Sequence, residues 1–329
     1  MGSWGRRTLV PGAFDVDLVA YVSQYRGTPL SNLELWRRQG AQEEVSVGRM
    51  RRDVKDALQR AAPEWSVKVA NDAHYGNILR IGVGGVEVDL LLLPELLEGT
   101  HEDPVWEQHK LLTRPLYANP GAAAYDQVRE RADAGALSEY VRGVHDDVKG
   151  VIRLVKGLYK NGVLARGSGR GGGRSPGGGE RIRSFSLKVL VLAADQSLQH
   201  HGHRPTDQAR GGNEYRLALF LEFLRLVVAA VRQREVVMVD AGRKWGYSRR
   251  VGQRFAHCWR GHDVRIIHPI DPTCNLERPR VHRAVSDWEP LVRLAERLLD
   301  LLLRRGGTFA DFVQVPEVAR ALRHVDCGR

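Results

Sequence analysis

Short apolar runs divided by polar breaks fill the first ninety residues. Val16 to Val22 (VDLVAYV) is apolar and β-rich, which predicts a buried strand. Glu43 to Ala62 carries Val47, Met50, Val54 and Leu58 at helical spacing and stops at Pro63, predicting a helix. Three strand-like runs follow at Ser66–Ala70, Asn77–Val83 and Val86–Leu93, the last two divided by the hairpin signal Gly84-Gly85. From about Leu137 the period turns helical. Val144–Tyr159, Phe185–Gln196, Tyr215–Val231 and Trp288–Leu303 each show a long apolar face with charged flanks. Tyr215–Val231 is apolar on nearly all sides, as the central helix of a lobe would be. Short β-like pieces interrupt at Glu235–Val239 and Val264–His268. The pattern predicts an α/β (α+β) chain: a small mixed sheet with covering helices over residues 1–140, then a mainly helical lobe over 141–329.

Gly167–Gly179 departs from both patterns, with eight glycines in thirteen positions, so it cannot bury enough surface to offset its ordering entropy. Arg166, Arg170, Arg174, Arg181 and Arg183 make the region basic; a solvent loop is the favoured reading over a nucleic-acid clamp. At 43% hydrophobic and 27% charged, the chain has the makings of a globular core, which excludes collagenous and wholly disordered classes. The net charge of +11 favours polyanions as partners: nucleic acid, nucleotides or acidic membrane. Of the 50 basic residues 8 are Lys, an Arg bias that genome composition can produce, so it carries little weight. Three cysteines cannot build a disulfide framework and point to a reducing compartment. With neither a signal peptide nor an apolar run of about 18 residues, the expected location is the cytoplasm, without membrane insertion.

The informative chemistry begins at Asp15-Val16-Asp17. Alternation along a strand puts positions 15 and 17 on one face, so two carboxylates stand together where an apolar strand begins. Such a pair is costly without a cation, and hard oxygen donors suit Mg²⁺ or Mn²⁺. Asp89 lies inside a second apolar strand, where a charge demands a partner. If the two strands are neighbours, three aspartates converge and can hold two metal ions. On this reading the acids repel one another, and removing one should leave the metal-free fold intact. Upstream, Gly2-Ser3 offers backbone N–H groups and a hydroxyl to phosphate.

Gly-Ser, then Asp-x-Asp, then a third Asp on a later strand resembles the nucleotidyltransferase superfamily with the DNA polymerase β-like core. Gly2 to Ser23 is similar to the 2′-5′-oligoadenylate synthetase version of the motif, and Val86 to Pro94 (VEVDLLLLP) to that family's third-aspartate strand. Ile152 to Tyr159 (IRLVKGLY), Phe185 to Ala194 (FSLKVLVLAA), Val264 to Leu276 (VRIIHPIDPTCNL) and the tail from Val285 to Leu302 resemble its later elements in order. The family has a helix before Gly-Ser, so the chain reads as truncated at its N-terminus.

The resemblance implies a template-independent enzyme joining ATP into 2′-5′-linked oligoadenylates with release of pyrophosphate, activated by double-stranded RNA in antiviral defence. It implies two Mg²⁺ held by Asp15, Asp17 and Asp89, with Gly2, Ser3 and Lys160 on the nucleotide (Arg166 the other candidate for the lysine's place) and Arg6 on RNA. Ala193 stands where the family tends to have an aromatic. A cyclic-dinucleotide synthase of the cyclic GMP-AMP synthase type is the first alternative; an inactive RNA-binding relative is the second. Asp271-Pro272-Thr273 reads equally as a turn or as part of a site. His200, His201 and His203 read as solvated rather than as metal ligands, and Trp65, Trp245 and Trp259 as packing.

Overall fold

In the computed structural model the described residues are 16–36, 45–72, 76–120, 132–164, 181–205, 209–278 and 285–326. The chain forms two compact units. One runs up to Gly143 and takes in Arg243–Trp245; the other comprises Val144–Gly242 and the chain from Gly246 on.

The first unit is built on a four-stranded mixed sheet. Its strands β1 (Val16–Val22), β4 (Ser66–Asp72), β5 (Gly76–Val83) and β6 (Val86–Pro94) lie in the order β1-β6-β5-β4. β1 runs parallel to β6, while β4, β5 and β6 form an antiparallel meander. The β5–β6 hairpin turns through Gly84 and Gly85 at φ 55° and 82°, the left-handed conformation its two-residue loop requires. A small ribbon of β2 (Gln24–Tyr25) and β3 (Thr28–Pro29) follows β1.

Alternation sorts the sheet's side chains onto two faces. Leu79 and Leu92 pack with Leu30, Trp36 and, from helix α1 (Val45–Ala61), Val47 and Met50. On the other face Ile78, Leu91 and Leu93 pack with Val19, Tyr21 and Ala70. Helices α2 (Pro104–Ala118) and α3 (Ala134–Arg142) complete the unit. The hydropathy pattern does not announce α2: it has Pro at both ends of its sequence, Pro104 and Pro115. Pro104 falls where no intrahelical N–H is needed, Asp103 accepts a bond from the Trp106 N–H at 3.1 Å, and Pro115 lies in the last turn.

The second unit is mainly helical: α4 (Asp146–Gly157), α5 (Ser184–His200), α6 (Ala209–Arg232) and α7 (Glu289–Leu299), then α8 (Phe309–Gln314) and α9 (Pro316–Asp326). α6 packs against α4, α5 and α7, burying Leu219, Phe223, Leu224 and Val227 completely. The two β-like pieces shrink to a parallel pair, β7 (Val236–Val237) and β8 (Arg265–Ile266). Between α6 and β7 the chain passes through Arg234 at φ 55°. α4 ends in a π-turn, Leu158–Val163, whose Gly162 carbonyl accepts two bonds from Arg320 on α9, at 3.1 and 2.9 Å. The glycine-rich segment 167–179 lies outside the described residues.

Candidate active site

The sheet of the first unit settles whether the aspartate-bearing strands are neighbours. β1 lies directly beside β6, and in their parallel register Asp17 is the partner of Asp89. The same row continues across the sheet: Asp89 pairs with Arg80 on β5, and Arg80 with Lys68 on β4. Four paired positions on four adjacent strands therefore read acid, acid, base, base. The row lies beside the apolar cluster of Ile78, Leu91 and Leu93, two residues along each strand on the same face.

Asp89 is 6% exposed, and one side chain satisfies its carboxylate. Arg80 binds it as a fork, Nε donating to Oδ1 at 2.8 Å and Nη2 to Oδ2 at 3.0 Å. The same Nε lies 3.2 Å from Oε1 of Glu87, a more exposed carboxylate two residues before Asp89 on that face. The expectation that removing Asp89 would leave the fold untouched is corrected here. Asp89 is held by an unlike charge, so its loss removes the Arg80 fork and leaves the guanidinium to Glu87 and water. The nearby Tyr21 donates to the Ala132 carbonyl at 3.1 Å and accepts from the Gly135 N–H at 3.3 Å. Burial pushes its pKa up to about 12, so it stays a protonated tie between strand and helix rather than a base.

The residues fit a divalent cation. Position 17 brings a second carboxylate-bearing residue, a hard oxygen donor, beside buried Asp89, whose charge the Arg80 fork compensates. Among the described residues no group of three or more His, Cys, Asp or Glu side chains is assembled. Asp17 is described by its backbone, whereas Asp15, Gly2, Ser3 and Arg6 lie outside the described residues. Lys160 is half-buried on the π-turn of the second unit.

Arg80 and Glu87 were absent from the reading of the sequence, although the signal for them was there. A two-residue Gly84-Gly85 loop makes Val83 and Val86 partners, and counting back places Arg80 opposite Asp89. From the sequence, Asp89 instead has metal ions, shared with Asp15 and Asp17, as its expected counter-charge.

In the second unit Asp271-Pro272-Thr273 is a buried turn. Asp271 Oδ1 accepts from both the Thr273 N–H at 3.0 Å and its hydroxyl at 2.6 Å. His268 Nδ1 accepts from the Ile270 and Asp271 N–H groups, which assigns the neutral ring's proton to Nε2. Trp259 is buried and donates to the Pro272 carbonyl. His200, His201 and His203 are exposed.

No protein-family model matches the chain, and no curated protein sequence does. Among solved structures it is similar to CdnC in the Escherichia coli MS115-1 CdnC:HORMA-deltaN complex, at 15% identity and a TM-score of 0.52. The alignment covers 97% of this chain and 80% of that one. At this identity the likeness establishes a shared fold alone, a mixed α/β one. No helix among the described residues is long and apolar enough to cross a membrane.

Proposed function

We propose that this chain is a nucleotidyltransferase that joins nucleoside triphosphates, transferring a nucleotidyl group to a hydroxyl and releasing pyrophosphate. The observation that carries the reading is the pairing of Asp17 with Asp89 on adjacent parallel strands, in a chain whose fold is similar to that of CdnC. Asp15, Asp17 and Asp89 would hold Mg²⁺ or Mn²⁺, which acidifies the attacking hydroxyl and neutralises the leaving phosphate. Gly2 and Ser3 would take the donor's triphosphate through backbone N–H groups and a hydroxyl, with Lys160 adding a positive charge.

Two products follow from two observations. The order of motifs along the chain favours linear 2′-5′-linked oligoadenylate, with ATP as substrate and double-stranded RNA as activator through Arg6 and the +11 surface. The likeness to CdnC favours a cyclic product, and the HORMA-deltaN in that structure makes a protein activator the corresponding proposal. The test is incubation with α-labelled ATP and GTP and Mg²⁺ or Mn²⁺, with and without duplex RNA. A linear product loses its 5′-phosphates to phosphatase, whereas a cyclic one keeps its mass. Absence of any new phosphodiester under all these conditions, and again with a HORMA protein added, overturns the reading in favour of an inactive relative.

A further inference from the structure

We propose that Arg80 is a resident counter-ion that competes with the divalent cation for Asp89, and that Glu87 is the acceptor that takes the guanidinium when the cation binds. The inference rests on the metal-site reading above and deepens it by assigning a part to two residues outside the aspartate set.

The geometry supports each step. A buried carboxylate is costly unless a positive charge compensates it. At Asp89 that charge is the Arg80 fork, at 2.8 and 3.0 Å, which engages one lone pair on each oxygen and puts a unit positive charge where a cation would bind. Two positive charges on one carboxylate repel, so the fork must loosen as the cation binds. Arg80 has somewhere to go. Its side chain is 27% exposed against 9% for Asp89, and its Nε already lies 3.2 Å from Glu87, whose side chain is 55% exposed. Rotation towards Glu87 keeps the guanidinium paired while freeing Asp89. Lys68, the next member of the row, carries the same sign as Arg80 and so cannot serve as acceptor. Thus the metal-free protein avoids an unpaired buried acid, and some of the cation's binding free energy is spent displacing Arg80.

Mn²⁺ titration of the whole chain, followed by the electron paramagnetic resonance of the free ion, tests this. Thermal melts with and without Mn²⁺ should be run alongside it. Arg80→Gln should bind Mn²⁺ about tenfold more tightly than wild type, because one competing unit charge is gone. Its melting temperature should fall without Mn²⁺ and rise on adding Mn²⁺ by more than that of wild type, whereas loss of a purely structural arginine would leave the Mn²⁺-induced rise equal to that of wild type. Arg80→Lys, which keeps the charge but not the fork, should bind with intermediate affinity; it also serves if Arg80→Gln does not fold. Glu87→Gln should weaken Mn²⁺ binding a few-fold, since the displaced guanidinium loses its acceptor. Equal affinity in wild type and both Arg80 variants, or weaker binding in those variants, overturns the competition while leaving the metal site standing. Failure of wild type and every variant to bind Mn²⁺ overturns the metal site itself, and the competition with it.

Discussion

Two buried acids, Glu277 in the helical unit and Asp89 in the sheet unit, are satisfied in opposite ways. In the helical unit Glu277 accepts from the Ser186 hydroxyl and from Trp288 Nε1, both neutral donors fixed by packing. Beside it Asn275, fully buried, uses its whole capacity: the Ile266 and Glu277 N–H groups donate to its oxygen, while its amide donates to Val264 O and His262 Nδ1. Burial lowers the His262 pKa, which keeps that ring a neutral acceptor. In the sheet unit Asp89 depends on one long, partly exposed arginine. Partners drawn from backbone and packed aromatics cannot leave without unfolding, so that network is architecture. A partner on a flexible stem can move without unfolding the chain, as the proposed role of Asp89 requires.

Substitutions can break this contrast. The largest effect is expected at Asp89→Asn, which should lower nucleotidyl transfer by about 10³-fold or more, because it removes a proposed ligand of the ion that carries developing charge. The same change should cost about 1–3 kcal/mol of stability, since Arg80 loses its partner but can still reach water and Glu87. Asn275→Ala should cost about 3 kcal/mol in a denaturant melt, as it orphans several buried groups together, while transfer per folded molecule stays unchanged. The contrast fails if Asn275→Ala instead abolishes transfer without loss of stability.

Gly162→Ala probes the π-turn that bears Lys160. An added Cβ would lie 2.4 Å from the Glu317 carbonyl oxygen on α9, so the helix must shift. A loss of about 1–3 kcal/mol is expected from such overpacking, measured by melting. A smaller effect belongs to Asp195, which accepts bonds from Tyr215 and Gln199 and whose pKa is raised by burial from the ordinary 3.8. A raised folded pKa means that the fold favours the protonated acid. Its contribution is therefore complete below about pH 3.8 and is lost as pH rises through the folded value. Asp195→Asn should flatten that part of the stability–pH curve; an unchanged slope would show that another group is responsible.

Much of this could be read along the chain. Period-two runs and one glycine pair locate the hairpin, and the two acids of Val86–Pro94, Glu87 and Asp89, mark one face of its second strand. The β1–β6 pairing was conditional, because nothing local to β1 specifies a parallel neighbour seventy residues away. Helix α2 was not read from the sequence: Pro104 stands at its N-terminus, where proline is tolerated, but Pro115 lies inside it, where proline ordinarily breaks a helix. Least legible was the placement of Arg243–Trp245 in the sheet unit. Lys244 pairs there with Asp103 at 2.7 Å and lies over the Trp106 and Trp245 rings, contacts that span some 140 residues and leave no periodic trace. Asp271-Pro272-Thr273 shows the reverse limit. Turn and site share one sequence signature there, and hydrogen bonds identify the turn.

The most direct test concerns Asp17, whose part follows from strand pairing. Transfer of label from α-labelled ATP should be measured for wild type and Asp17→Asn in Mg²⁺, with melts of both. The account predicts product from wild type, none detectable from Asp17→Asn, and similar melting temperatures. Equal product from the two proteins would contradict it.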